Sequence, residues 1–195
     1  MFPAGSPSTQ YVQAEFIPPD DTTRNPLIDY ERGGIHLNDA SQGLDVQDWK
    51  AWYDGTSIKV STVTDTDLAT VVTVALVTYV SLAFDQNMRL ALVYVANGIT
   101  KLRWFDPVVN AIVTTTIDNA NQPMISLDDK RDISVSTSDL VLVYLRGDTV
   151  YFRLQRERFI IENTYATLNP GIHTVLGMGL NRQNRFQIHI RTVFE

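Results

Sequence analysis

Apolar and polar positions alternate along this chain in short runs broken by Gly-centred turns, and one such phrase occurs three times. Residues 49–60 read Trp-Lys-Ala-Trp-Tyr-Asp-Gly-Thr-Ser-Ile-Lys-Val. Residues 92–105 read Leu-Val-Tyr-Val-Ala-Asn-Gly-Ile-Thr-Lys-Leu-Arg-Trp-Phe, and residues 142–153 read Leu-Val-Tyr-Leu-Arg-Gly-Asp-Thr-Val-Tyr-Phe-Arg. β-Branched and aromatic residues flank each turn, which is the strongest local signal for a β-hairpin. Tyr94 and Tyr144 are 50 residues apart, as are Arg103 and Arg153, a spacing within the range of repeated four-stranded sheet units.

The same alternation predicts strands at 48–54, 57–64, 70–77, 79–84, 90–96, 99–105, 110–117, 123–127, 140–146, 149–155, 158–165, 172–176 and 185–193. The longest apolar run, Leu68 to Phe84, is interrupted by Thr70, Thr73, Thr78 and Ser81, so it reads as buried strands and not as a membrane helix. Val80-Ser81-Leu82 precedes Asp85, and Ile125-Ser126-Leu127 precedes Asp128. The repeating unit is therefore strand, acidic turn, hairpin and outer strand. It is blade-like, but two or three blades do not close a propeller. The expected fold is all-β: antiparallel repeated hairpins forming a β-sandwich or blade-like sheets, the latter completed by copies in a ring.

Residues 1–35 differ from the β domain expected over 36–195. Pro3, Pro7, Pro18, Pro19 and Pro26 interrupt regular structure, while Phe2, Tyr11, Phe16, Ile17, Leu27 and Tyr30 are more apolar than a solvated tail requires. An extended N-terminal arm that docks on its own body or on a neighbour fits both facts. Residues 31–39 read as a turn into the first strand, and 39–49 as a loop or single helical turn.

Composition narrows the chemistry. The chain has no cysteine, which removes disulfides and thiolate metal sites. No charged segment followed by an apolar one opens it, so no secretory signal is expected. The net charge is −6, and no basic stripe is concentrated enough to suggest nucleic acid. Residues 1–145 carry 9 basic and 18 acidic groups, whereas residues 146–195 carry 7 and 4.

His36, His173 and His189 are scattered, with no metal-ligand spacing among them. Asp128-Asp129-Lys130-Arg131-Asp132 lacks the alternating ligands of a calcium loop. No nucleophile-elbow, phosphate-loop or dinucleotide motif occurs. Gly177-Met178-Gly179 reads as a mobile loop. Arg146-Gly147-Asp148 spells an adhesion tripeptide but falls on a hairpin turn. Arg153, Arg156 and Arg158 could line one strand face or the turn after it, where arginine on aromatic side chains suits a subunit interface. No catalytic residue, cofactor or metal site is expected, and the interface candidates are the six apolar arm residues with Arg153 and Arg156.

The stretch Asp29-Tyr30-Glu31-Arg32-Gly33-Gly34-Ile35-His36-Leu37-Asn38-Asp39-Ala40-Ser41-Gln42-Gly43-Leu44, with Val46-Gln47-Asp48-Trp49, resembles small virion structural proteins of tailed bacteriophages. Val80–Arg89 and Ser126–Arg131 add to that resemblance, which covers residues 28–165. It implies a non-enzymatic component of the neck, tail, hub or fibre-attachment collar. Such a protein would be made in the host cytoplasm and held in the virion as a homo-oligomeric ring among other tail proteins. It would have no membrane insertion. The alternatives are a receptor- or glycan-binding adhesin module using Asn97, Arg146 and Asp148, and a polysaccharide-cleaving enzyme using acidic turns such as Asp128 and Asp129.

Overall fold

Each of the three Gly-centred turns joins the two central strands of a four-stranded antiparallel sheet. The computed structural model describes residues 27–36, 45–62, 69–87, 89–128, 138–180 and 186–194. Phe2, Tyr11, Phe16 and Ile17 of the expected arm lie outside these, as do the 39–44 part of the expected loop and Asp129–Asp132. The described strands are β1 (Ile28–His36), β2 (Asp45–Tyr53), β3 (Ser57–Thr62), β4 (Ala69–Thr73), β5 (Val77–Phe84), β6 (Leu90–Ala96) and β7 (Ile99–Asp106). They continue with β8 (Ala111–Ile117), β9 (Asn121–Asp128), β10 (Asp139–Arg146), β11 (Thr149–Leu154), β12 (Asn163–Thr167), β13 (Ile172–Leu180) and β14 (Phe186–Val193).

The sheets are consecutive meanders: β1-β2-β3-β4, β5-β6-β7-β8, β9-β10-β11-β12, and the hairpin β13-β14. Turn chemistry sets the central hairpins. Asn97 and Gly98 both have positive φ (52° and 75°), the backbone of the two-residue turn that matches strand twist. Gly147 supplies the positive φ of the third turn, at 56°. The 50-residue spacing is structural. Arg103 pairs with Leu92 across β6/β7, and Arg153 pairs with Leu142 across β10/β11.

The sheets stack face to face, because each strand alternates its side chains between two faces and both faces are apolar. One face of the β5–β8 sheet places Leu82, Leu92 and Tyr94 against Ala51, Ile58 and Val60 of the first sheet. Its other face places Val93, Leu102 and Trp104 against Ile125, Leu142 and Tyr144 of the third. The opposite face of the third sheet buries Met124, Val143 and Val150 against Val175 and Met178 of β13. Each fully buried Leu or Val in these layers contributes ~1.5–3 kcal/mol. A strand buried on both faces, such as β10 with its run Asp139–Leu145 buried throughout, loses the alternation of a half-exposed one.

The fold is all-β and antiparallel, with blade-like four-stranded sheets. Five local expectations differ from it. The strand expected at 70–77 stops at Thr73, and the next begins at Val77 after Leu76 takes left-handed backbone (φ 55°). Residues 31–36 belong to β1, paired with β2, and not to a turn; the glycines there hide the alternation and a bulge shifts it between Gly33 and Ile35. Residues 45–47, read as part of a loop, open β2. Gly177-Met178-Gly179 is strand, not loop: a bulge between Val175 and Gly177 resets the register, and Met178 is buried. Residues 158–162 turn before β12 begins at Asn163, because Arg158 and Phe159 take left-handed backbone (φ 54° and 57°). That turn drives the fully buried Phe159 edge-on against Trp104, with ring centroids 4.9 Å apart.

Candidate functional site

Sheet parity decides where the charged residues of the third hairpin point. Tyr144 pairs with Tyr151 and Leu142 with Arg153, so Tyr144, Arg146, Tyr151 and Arg153 share the face turned toward the second sheet. They converge on Glu162. Arg146 donates to both carboxylate oxygens, Nη1 to Oε1 at 2.9 Å and Nη2 to Oε2 at 3.0 Å. Arg153 donates from Nη2 to Oε2 at 3.1 Å, from Nε to the Tyr144 hydroxyl at 3.0 Å, and from Nη1 to the Phe159 carbonyl at 3.0 Å. The Tyr144 hydroxyl in turn donates to Glu162 Oε2. The bidentate Arg146 holds the Glu162 carboxyl down at about 2, with Tyr144 and Arg153 adding to the effect. Burial, followed by the adjoining Glu162 carboxylate, pushes the Tyr144 hydroxyl up to about 12.

The neighbouring arginines have separate partners. Arg156 reaches Asp139 through its backbone N–H at 2.9 Å and its guanidinium at 3.3 Å. Arg158 grips Asp106 at the end of β7 through Nε at 3.0 Å and Nη2 at 2.6 Å. Burial opposes ionisation of Asp106, but the Val108 N–H and the Arg158 guanidinium together hold it below the usual carboxylate range. Asp85 binds the turn that follows it through the N–H groups of Asn87 (2.8 Å) and Arg89 (2.9 Å) and through the Arg89 guanidinium (2.7 Å). Asp128, at the matching end of β9, is buried and lies in register with Asp139.

At the other end of the strands, the third turn meets the last hairpin. Asp148 Oδ1 lies 3.0 Å from His173 Nε2, and Thr192 Oγ1 lies 3.0 Å from His173 Nδ1. A carboxylate only accepts, which places a proton on Nε2; the Thr192 hydroxyl, able to donate or accept, completes the ring's second contact at Nδ1. Arg146 and Asp148 of the adhesion-like tripeptide are thus both engaged within the fold. A cleft of about 560 Å³ opens beside this clasp, lined by the turn residues Gly98, Gly147 and Asp148 together with Thr78, Asn121 and Gln122.

Leu27 is half-buried against the first two sheets, and its carbonyl accepts the Tyr53 N–H at 3.0 Å. Tyr30 stands in β1 opposite Lys50. Arg153 is turned inward, whereas the Arg156 side chain is largely exposed. The structure does not bring the described interface candidates into one patch. Glu162, Gln122 and His173, which organise the described charge network and clasp, carry no local sequence signal; the feature that could have suggested a common partner is the shared parity of Arg146 and Arg153 across their two-residue turn.

Among the described residues, no group of three or more His, Cys, Asp or Glu side chains is arranged to hold a metal ion, and no helix is long and apolar enough to cross a membrane. No protein-family model matches the chain, and neither a curated protein nor a solved structure matches it.

Proposed function

We propose that this chain is a structural component of a tailed-bacteriophage virion, in the tail, neck, hub or fibre-attachment collar. In this reading it holds other virion proteins through its β surfaces and N-terminal arm and carries out no reaction. The observation that supports this reading most is the use to which its charges are put. Asp85, Asp106, Asp139, Asp148 and Glu162 each bind a turn, a neighbouring sheet or a connector, which is how a rigid assembly module spends them. The sequence resemblance across residues 28–165 supplies the virion context. Deleting residues 1–26 tests the arm: the far-ultraviolet circular dichroism should stay that of a β protein while incorporation into particles falls. Normal incorporation of the truncated chain would remove the arm from the proposal.

A second reading has its own support. The cleft beside Asp148, rimmed by two hairpin turns and by Asn121 and Gln122, offers the mixed polar lining that saccharide hydroxyls require. Binding of the purified chain to a glycan array, lost on Asn121→Ala, would favour an adhesin module over a purely structural part.

A further inference from the structure

Each four-stranded sheet has two outer strands, β1 and β4, β5 and β8, β9 and β12, and the fold treats them differently; the pairings of β1, β5 and β9 each carry a register shift. An outer strand presents a row of N–H and C=O groups to any chain able to pair with it, and proteins suppress such pairing with short strands, bulges or charges. β4 and β12 are each 5 residues long, and their pairings with β3 and β11 are broken by register shifts at Ile58/Lys59 and Val150/Tyr151. β8 has neither defence. It pairs with β7 over 7 consecutive residues, from Asp106↔Ala111 to Thr100↔Ile117, with no shift. Its sequence, Ala-Ile-Val-Thr-Thr-Thr-Ile, contains no charge, no proline and six consecutive β-branched residues.

The two faces of β8 also differ. Val113 and Thr115 turn inward, Val113 onto the core and Thr115 to accept the Trp104 indole N–H at 3.3 Å. Ile112, Thr114 and Thr116 are exposed, and the turn before them exposes Val108 and Val109. Among the described residues β7 is the only strand paired with β8.

We propose that β8 is a self-pairing edge through which two copies of this chain join antiparallel about a twofold axis at Thr114. The strand suits itself as a partner. With Thr114 opposite Thr114, Ile112 faces Thr116 in both directions, so the pairing contains a Thr–Thr pair flanked by two Ile–Thr pairs. Nowhere along it does a charge face a charge, although each copy carries a net charge of −6. The second and partner sheets then run on as one eight-stranded sheet. Such a twofold contact is isologous and separate from the head-to-tail contacts that a ring uses, and it does not depend on the virion reading.

Sedimentation velocity of the full-length chain over a range of concentrations tests it. The wild type should dimerise, and Thr114→Lys and Thr114→Glu should each weaken association about tenfold or more, while Thr164→Lys on β12 should leave it unchanged. Mixing the Lys and Glu variants should restore a dimer, because only a twofold pairing sets position 114 against itself. If Thr114→Lys fails to fold beside Arg103, its β7 neighbour, a mixture of Ile112→Lys with Thr116→Glu asks the same question across the same axis. A wild type that is monomeric at every concentration, a dimer indifferent to these variants, or folded variants that do not recombine would each overturn the proposal.

Discussion

Gln122 on β9 holds Val175 on β13 as a backbone would: its Oε1 accepts the Val175 N–H at 2.9 Å, while its Nε2 donates to the His173 carbonyl at 3.0 Å. One side-chain amide thereby satisfies an N–H and a C=O of β13 and fixes the last hairpin to the third sheet. Gln122 does so from left-handed backbone, φ 49°, a conformation a non-glycine residue adopts at some cost. Gln122→Ala should lower stability by about 1–3 kcal/mol, because two partly buried backbone groups lose their partner. Urea unfolding followed by tryptophan fluorescence measures the loss. Asn at this position is one methylene too short to reach and should not rescue it.

The Glu162 cluster makes stability depend on pH at both ends of the scale. The carboxyl sits at about 2 in the fold against 4.5 as its ordinary value, so its stabilisation is complete above 4.5 and is lost as pH falls toward 2. The Tyr144 hydroxyl is shifted the other way, to about 12 from 10.0. Its contribution is complete below 10 and fades as pH rises toward 12. Glu162→Gln should flatten the acid limb, and Tyr144→Phe the alkaline limb, of a plot of unfolding free energy against pH.

Glu162→Ala should cost more than Arg146→Ala. Removing Glu162 leaves two guanidinium groups and a hydroxyl without their shared acceptor, whereas without Arg146 the carboxylate still holds Arg153 and Tyr144. A thermal melt of each variant decides the order. An equal loss would mean that Arg146 alone carries the cluster.

Much of the fold was legible in the sequence because a two-residue turn, a change of parity and a repeat of 50 residues are local or periodic signals. Asn97-Gly98 specified its hairpin outright, and the Tyr–Arg spacing marked equivalent strands. What stayed hidden was long-range or bulged. Met178 turns inward only because a bulge at Val175/Gly177 resets the alternation, and Phe159 is buried through a left-handed turn that no apolar period announces. The residues that organise the charges were hidden for the same reason. Glu162 lies 16 residues from Arg146, and His173 lies 25 from Asp148; no spacing rule links them.

His173→Phe should loosen the last hairpin selectively. The ring would lose both Asp148 and Thr192, while the cores shared by the first three sheets are built without it. Hydrogen exchange should therefore quicken across β13 and β14 and stay unchanged in β6 and β10. Faster exchange throughout would show that the clasp supports the whole stack.

The virion role is tested most directly by gold-labelled antibodies raised against residues 45–180 and applied to purified tailed particles produced in cells expressing this chain. Label at one fixed level of the tail or neck is the expected result. Particles that carry no label, with the chain recovered only from the soluble lysate, would contradict it.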